Sequence, residues 1–467
     1  MLVAPVSIEI LPDDVLLLIF HFDRVLSRGG FDKNGFFFFW RWHRLVHVCQ
    51  RWRTVVFASP NFLELRVVCA PWTRAELTSI WPPLPIIIKN DNVSVHDGYD
   101  FNAAIVHPNR VREIDLINLQ DLPLQRLVSA MQEQFPTLIH LNLHSSGHNT
   151  CPLSNGFLAP RLRYLMFHNI PFPALPKFLL STTDLVRLTL VDIPDSGYFS
   201  PELIVTGLAV LANLKFLSIC FGSHLSHPRE SQRPPPPTRI VLPALTWFAF
   251  SGDSEYSEDL VARIDAPLLG RIHIYFFHPF VYDIPQLAQF MRRTTRFRTL
   301  NEAHVNFDDL GVEVGSLSLR SSRTFDEEFR LRISCEQLGW QLSSLARAFT
   351  SLFPSIYTVE HLYIHEPPSI MLDELRWRGD IENIQWLEFL RPFTAVKNLY
   401  LCSKFTKCVA VALQEFVGER APNVLPALEK LILIKHLLGP DEELIGPFVA
   451  ARRLLGRPVT VSHWHAA

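Results

Sequence analysis

The sequence predicts an α/β chain: a small N-terminal helical module over residues 7–62, then an irregular strand–helix solenoid over residues 63–467. Three observations predict it. Apolar residues recur at helical spacing between Leu11 and Ser59. An L-x-x-L-x-L pattern, or its apolar equivalent, then returns along most of the remaining chain. Finally, 48% of the 467 residues are hydrophobic and the mean hydropathy is +0.14, which calls for a large interior or for apolar surface held against partners.

The helical module opens LPDDVLLLIFHF. Pro12 stands where a first helical turn tolerates proline, and Asp13 and Asp14 stand where the helix dipole favours negative charge. Val15, Leu16, Ile19 and Phe20 follow at helical spacing. A loop with an aromatic plug at Phe36 to Trp40 is expected next. A second helix then carries Trp42, Leu45, Val48, Cys49, Trp52, Val55 and Val56, and Ser59-Pro60 ends it because a residue before proline is pushed out of the helical region. Full burial of one large apolar side chain is worth roughly 1.5–3 kcal/mol. Two or three short helices cannot bury about a dozen of them alone; they need a large domain or a second protein.

The residues Leu11, Pro12, Asp14, Val15, Leu16, Ile19 and Phe20, followed by Leu45, Val48, Cys49, Trp52 and Arg53, resemble an F-box, of the form found in large sets of fungal F-box proteins. The spacer between Phe22 and Trp42 is longer than in a compact F-box. The resemblance implies a docking module for the Skp adaptor of cullin-based ubiquitin ligases. It implies adaptor contact, or its direct support, by Leu11, Pro12, Val15, Leu16, Ile19, Phe20, Val48, Cys49 and Trp52.

After the module, Leu63 to Val67 alternates as a strand should, Thr73 to Trp81 reads as a helix, and Ile86 to Ile88 as a strand. The repeat then occurs at Val111-Ile114-Leu116, Leu138-Leu141-Leu143, Leu162-Leu165-Phe167, Leu185-Leu188-Leu190, Leu214-Leu217-Ile219, Leu245-Phe248-Phe250 and Leu269-Ile272-Ile274. It returns at Val359-Leu362-Ile364, Val396-Leu399-Leu401 and Leu428-Leu431-Leu433. The early spacings of about 23–31 residues are close to those of leucine-rich repeats. Leu122 to Phe135 and Pro201 to Leu211 read as intervening helical or loop segments, and Pro136, Pro160, Pro243, Pro267 and Pro426 stop the segment before a motif. One strand and one segment cannot bury their own apolar face, so successive units stack. The expected fold class is therefore α/β: a small N-terminal helical module that resembles an F-box, followed by an irregular leucine-rich-repeat solenoid.

Two stretches disturb the pattern. Ser223 to Arg239, with its run of prolines at 234–237, reads as an exposed loop. Residues 300–335 alternate over longer runs and suggest a small antiparallel patch, followed by a helix from Leu338 to Phe353. At the end, Asp441 to Leu455 reads as a helix closed by Gly456, and Val459 to Val461 as a strand covering the last edge.

Composition excludes several functions. The net charge of −2 gives no basic surplus for nucleic acid. The seven cysteines form no C-x-x-C pair, so neither a zinc site nor a disulfide framework is expected, and a reducing cytoplasmic or nuclear setting suits them. No signal peptide, membrane span, phosphate loop, nucleophile elbow, H-E-x-x-H or dinucleotide fingerprint is present, so no enzyme activity and no cofactor are expected. A solvated turn accounts for Asp308 and Asp309. His43 and His47, four apart on the second helix, lack a third metal ligand and read as its polar edge.

In an L-x-x-L-x-L strand the apolar residues point inward and those between them face the concave side. This places His140, His144, Tyr164, His168, Arg187, Trp247, Arg271, His273, Tyr275, His361, Tyr363 and His365 on one surface, with Asn142 and Tyr400. The set is rich in aromatic, His and Arg residues, the types enriched in binding hot spots, and poor in acids. With the F-box resemblance, the expected function is a non-catalytic substrate-recognition subunit of a Skp–cullin–F-box ubiquitin ligase, holding an unknown target protein on that surface. The alternative is a leucine-rich-repeat scaffold with no part in degradation.

Overall fold

The computed structural model describes residues 8–27, 41–69, 83–90, 105–147, 152–153, 156–222, 239–278, 284–294, 297, 301–307, 311–317, 327–334, 338–352, 354–365, 383–414, 424–435 and 441–465. The chain divides into two compact units, Met1–Arg187 with Ser196–Tyr198, and Leu188–Asp195 with Phe199–Ala467.

The first unit begins with α1 (Asp13–Ser27), α2 (Arg41–Val46) and α3 (Gln50–Ala58), which pack on one another. Leu16 and Phe20, one turn apart, are buried, and the Phe20 ring lies 4.8 Å from Trp52. Arg51 of α3 reaches back to the Asp13 carboxylate at 2.7 Å and to the Leu11 carbonyl. The pair is exposed, so it sets geometry more than stability. α1 runs on to Ser27, beyond the expected end near Phe22, because no glycine or proline interrupts it before Gly29. The aromatic plug expected at 36–40 lies outside the described residues.

The single second helix expected from Trp42 to Val56 is two helices. His47 and Val48 form a turn, and Cys49 is extended (φ −157°, ψ 170°), its Sγ accepting from the Trp52 N–H at 3.5 Å as an N-cap. Arg53 Nε donates to the Val46 carbonyl freed by the break, at 3.0 Å. His47 therefore lies past the end of α2, and the i, i+4 helical relation with His43 does not hold. The strand expected over Leu63 to Val67 is displaced. Turns hold this stretch, with Leu63 N–H on the Ser59 carbonyl, Leu65 N–H on the Pro60 carbonyl and Glu64 at φ +47°. The strand is β1 (Val67–Cys69). The helix expected at 73–81 lies outside the described residues, as does the loop at 223–238.

β1, β2 (Ile86–Lys89), β3 (Val111–Leu119), β4 (His140–Ser145) and β5 (Tyr164–His168) pair in parallel in chain order. α4 (Asp121–Ala130) follows β3 and α5 (Leu175–Leu180) follows β5. Strand entry is pinned by backbone. Arg163 and Tyr164 both donate to the Ile139 carbonyl, and Val186 and Arg187 both donate to the Arg163 carbonyl. Thr137 Oγ1 adds bonds to the carbonyls of Asn109 and Val111, each at 2.9 Å. Buried Asn90 pairs its amide with both backbone groups of Ile117, 2.7 Å to the N–H.

In the second unit the strands are β6 (Arg187–Ile193), β7 (Phe216–Phe221), β8 (Ile240–Val241), β9 (Trp247–Gly252), β10 (Ile264–Asp265), β11 (Arg271–Phe276), β12 (Glu302–Phe307), β13 (Gly311–Leu317), β14 (Glu327–Ser334), β15 (His361–His365), β16 (Asn398–Cys402), β17 (Lys430–Lys435) and β18 (Thr460–His465). The sheet order is β6-β7-β9-β11-β14-β13-β12-β15-β16-β17-β18, while β8 and β10 form a short parallel ribbon. All described pairings are parallel except β12–β13 and β13–β14, the antiparallel patch the alternation predicts. The same paired entry recurs: Thr246 and Trp247 donate to the Lys215 carbonyl, His361 and Glu360 to Asn301, and Lys397 and Asn398 to Glu360.

One side of this sheet carries α6 (Pro201–Leu208), α7 (Ser254–Ala262), α8 (Pro285–Arg293), α9 (Leu338–Leu352), α10 (Asn383–Leu390), α11 (Ser403–Gln414) and α12 (Asp441–Leu454), each packed on the next. The repeat leucines point into that layer; Leu362, Ile364, Leu399 and Leu401 are all buried. Aromatic rings pack with one another in the same unit, Phe307 5.2 Å from Phe405 and Phe349 5.1 Å from Phe393. Gly456, at φ +71°, closes α12 and releases the chain into β18.

The chain leaves several strands through a left-handed residue two places after the third apolar position: Asn118 (φ +56°), Asn169 (φ +53°) and Asp192 (φ +50°). Asn and Asp tolerate this conformation better than other side-chain-bearing residues. Gly252 holds the equivalent place at the end of β9, where an added Cβ would meet the Phe221 ring at 2.9 Å and the Phe250 ring at 3.0 Å. Gly252→Ala is expected to cost about 1–3 kcal/mol by overpacking, seen as a lower urea midpoint.

Glu258 of α7 caps α8 from outside. The Ile284 N-cap offers no side-chain bond and Pro285 has no N–H, so the Glu258 oxygens accept from Gln286 and Leu287, both at 2.8 Å. Burial outweighs these donors and pushes the carboxyl up to about 7. A raised acid makes stability fall as pH rises from about 4.5 to about 7, by up to about 3 kcal/mol. Glu258→Gln should abolish that fall in thermal melts taken across the same range.

Candidate functional site

Because side chains alternate across a strand, burying one set sends the other to the helix-free face, and in-register pairing aligns that set into rows. In the first unit the rows join β3, β4 and β5. Glu113 stands opposite His140 and His140 opposite Tyr164, while Asp115 faces Asn142 and His144 faces His168. The His140 and Tyr164 rings are 5.8 Å apart, and His144 and His168 are 4.0 Å apart, edge to face. Asn142 donates to Asp115 at 2.8 Å, Arg66 pairs with Glu113 at 3.0 Å, and Lys89 lies between the two carboxylates. Burial lowers the His140 pKa, with Asp115 and Glu113 pulling the other way.

The second unit presents two clusters. On β7, β9 and β11, Phe216 meets Trp247 at 4.3 Å, Trp247 meets His273 at 5.3 Å, and the Arg271 guanidinium sits over Trp247 at 5.8 Å. Tyr275, two residues on, carries Arg332 of β14 over its ring at 5.8 Å. Across β12, β15 and β16 the rings of His304, Tyr363 and Tyr400 form a ladder: His304 and Tyr363 stack at 4.2 Å and Tyr363 and Tyr400 at 4.0 Å. His365 Nε2 lies 3.4 Å from His304 Nδ1, and His361 Nδ1 lies 3.2 Å from the Asn398 amide. Burial, then the neighbouring His365, lowers the His304 pKa to about 4; burial and Tyr400 push the Tyr363 phenol up. The cluster offers ring edges, hydroxyls and ring nitrogens, the chemistry of polar recognition surfaces.

The residues read from sequence as target-binding thus stand on helix-free strand faces, but in separate groups. His140, His144, Tyr164 and His168 gather in the first unit. In the second, Trp247, Arg271, His273 and Tyr275 are divided from His361, Tyr363 and His365 by β14, β13 and β12. Arg187 is exposed at the start of β6. The expectation that the surface is poor in acids is corrected by Glu113, Asp115, Glu302 and Glu313, all at open-face positions. His304, Arg330 and Arg332 were not foreseen as site residues, although the alternation in EAHVNF and FRLRI carries the signal.

In the helical module, Leu16 and Phe20 are interior; Leu11, Val15 and Trp52 are half-buried; Pro12, Ile19, Val48 and Cys49 are exposed. Ile10, Leu18 and Phe22, not foreseen, are also exposed. Among the described residues, no group of three or more His, Cys, Asp or Glu converges as a metal site would require, and no helix is long and apolar enough to cross a membrane.

A histidine held neutral by the fold makes stability fall as pH drops from about 6.5 to about 4, by up to about 3 kcal/mol. His304→Phe, which keeps a flat ring in the ladder, should remove this acid sensitivity. Melting temperatures at pH 7 and pH 4.5, compared with the parent, would read it. Its sign is opposite to that of Glu258, so the single variants separate the two effects.

A comparison with protein families gives no match, and neither does a comparison with curated proteins. Among solved structures, the chain is similar to the leucine-rich repeat-containing protein LegL7 from Legionella pneumophila, at 14% identity over 78% of this chain and 97% of that chain, with a TM-score of 0.30.

Proposed function

We propose that this chain is a non-catalytic target receptor of a Skp–cullin–F-box ubiquitin ligase, its N-terminal helices docking the Skp adaptor and its helix-free strand faces holding a protein target. Apolar side chains exposed together on a short helical module carry this reading. Ile10 is 74% exposed, Phe22 61%, Val48 58%, Leu18 48% and Ile19 40%, all within a segment whose sequence resembles an F-box. Large apolar exposure on so small an element marks a protein-binding surface. The interior residues Leu16, Phe20 and Val56 support it from beneath. The receptor would act by proximity, raising the effective concentration of target lysines near the ubiquitin-carrying enzyme. The cytoplasm or nucleus is the compartment this function implies.

Capture of the full chain on purified Skp adaptor tests the reading. The parent should bind, and Ile19→Asp with Val48→Asp, two exposed positions, should weaken capture at least tenfold while leaving the circular dichroism spectrum unchanged. A folded parent that fails to bind overturns the proposal. Adaptor binding without recruitment of a cullin would make the chain a scaffold instead.

A further inference from the structure

The sheet of the second unit ends on a strand that is not built as an edge. β18 is last in the strand order. It pairs with β17 in unbroken register over Thr460–His465, and among the described residues no strand lies on its other side. Native edge strands are blunted by lysine, proline or a bulge. The sequence TVSHWH has no lysine, no proline and no acid, and its register holds no bulge. Thr460 donates to the Glu429 carbonyl on the β17 side, so alternation turns the N–H and C=O of Val461 away from β17. Apolar character runs up to this last strand. Ile432 and Ile434 of β17 are buried on the open face, while Val461 and Trp464, the latter level with Ile434, are exposed.

The helix that leads into β18 is bare as well. α12 is the last helix of the layer and packs on α11. Ile445, Phe448 and Ala451 are buried on one side of it. On the opposite flank Gly446, Ala450 and Leu454 are exposed, Leu454 at 89%, and an added Cβ at Gly446 would meet nothing within 4 Å. Terminal solenoid units need a polar outer face; this one presents Leu454, Leu455, Val461 and Trp464. We infer that a second copy of this chain covers this end, β18 pairing antiparallel with its counterpart across a two-fold axis normal to the sheet. Three features point to a copy. Such an axis sets same-face residues against each other, and TVSHWH carries no acid, lysine or arginine to repel itself. The axis also lays α12 antiparallel to its counterpart, so the two helix dipoles oppose. Finally, α12 is acidic in sequence at 441–443 and basic at 452–453, so each end comes level with the opposite sign. The pairing joins two sheets into one and sets two open faces side by side, a bivalent surface. It does not depend on the receptor reading.

Sedimentation equilibrium on the full chain tests it. The parent should show twice the chain mass of 53.6 kDa and fall to one chain mass on dilution. Val461→Lys with Trp464→Lys places charge on both faces of the edge. It should raise the dissociation constant by roughly tenfold or more while leaving the circular dichroism spectrum as in the parent. A parent that stays at one chain mass up to its solubility limit overturns the inference. So does an unchanged dissociation constant in the folded lysine pair, which would put self-association on another surface. If the lysine pair alters the spectrum, Arg453→Glu decides. This exposed residue lies at the basic end of α12, and reversing its charge should weaken the dimer by roughly tenfold; no weakening counts against the inference. The assay contains no adaptor, so its failure leaves adaptor capture untouched, and failed capture leaves this result standing.

Discussion

Each unit depends on one constraint: the entry of a strand is fixed by the backbone of the strand before it. Two successive N–H groups converge on a single carbonyl, as Arg163 and Tyr164 do on Ile139 and as Lys397 and Asn398 do on Glu360. The register therefore cannot slip by one residue. A one-residue slip would turn Leu399 and Leu401 to water and bury Asn398 and Tyr400 in their place. At roughly 1.5–3 kcal/mol for each large apolar side chain, that exchange is forbidden. The open face inherits its order from this. The ladder of His304, Tyr363 and Tyr400 exists because three strands that share little sequence are held level.

Arginine and threonine side chains reinforce the same joints. Arg293 donates to the Ile264 carbonyl at 3.1 Å, Arg452 to Leu425 and Leu428 at 3.3 and 3.2 Å, and Thr460 Oγ1 to Glu429 at 3.2 Å. Each adds a side-chain donor to a backbone carbonyl in or beside a strand. Arg293 and Arg452 are thus consumed by the fold.

The repeat strands were legible because a period of two and an interior of leucine leave little freedom. Every L-x-x-L-x-L motif named from sequence falls on or at the entry of a parallel strand, and the glycine after the last helix is its left-handed cap. The failures came where local bonds overrode pattern. The apolar spacing through Val48 and Cys49 is helical, yet Cys49 serves its backbone better as a cap than as a helical residue. Leu63 and Leu65 are buried as an alternating strand would have them, but turn hydrogen bonds own their N–H groups. Open-face residues from 302 to 332 lie outside the L-x-x-L-x-L motif; the alternation there is plain in the sequence, and strand order is not. Partner strands and register belong to tertiary structure, and no local pattern states that β14, not β12, lies beside β11.

That exchange of neighbours has a consequence for how the chain reaches its folded state. Elsewhere in the sheet a strand docks on one that precedes it in the chain, so structure can grow outward one unit at a time. At β11 growth must stop. β12 follows in the chain, but the place beside β11 belongs to β14, and β12 must wait for β13 on one flank and β15 on the other. During synthesis the β11 edge stays open until residues 327–334 emerge. The loop so closed is long for this chain, and long closures are slow. Closure over residues 271–334 is thus expected to be the slow step in folding the second unit, the interval in which the β11 edge stands open to wrong pairing.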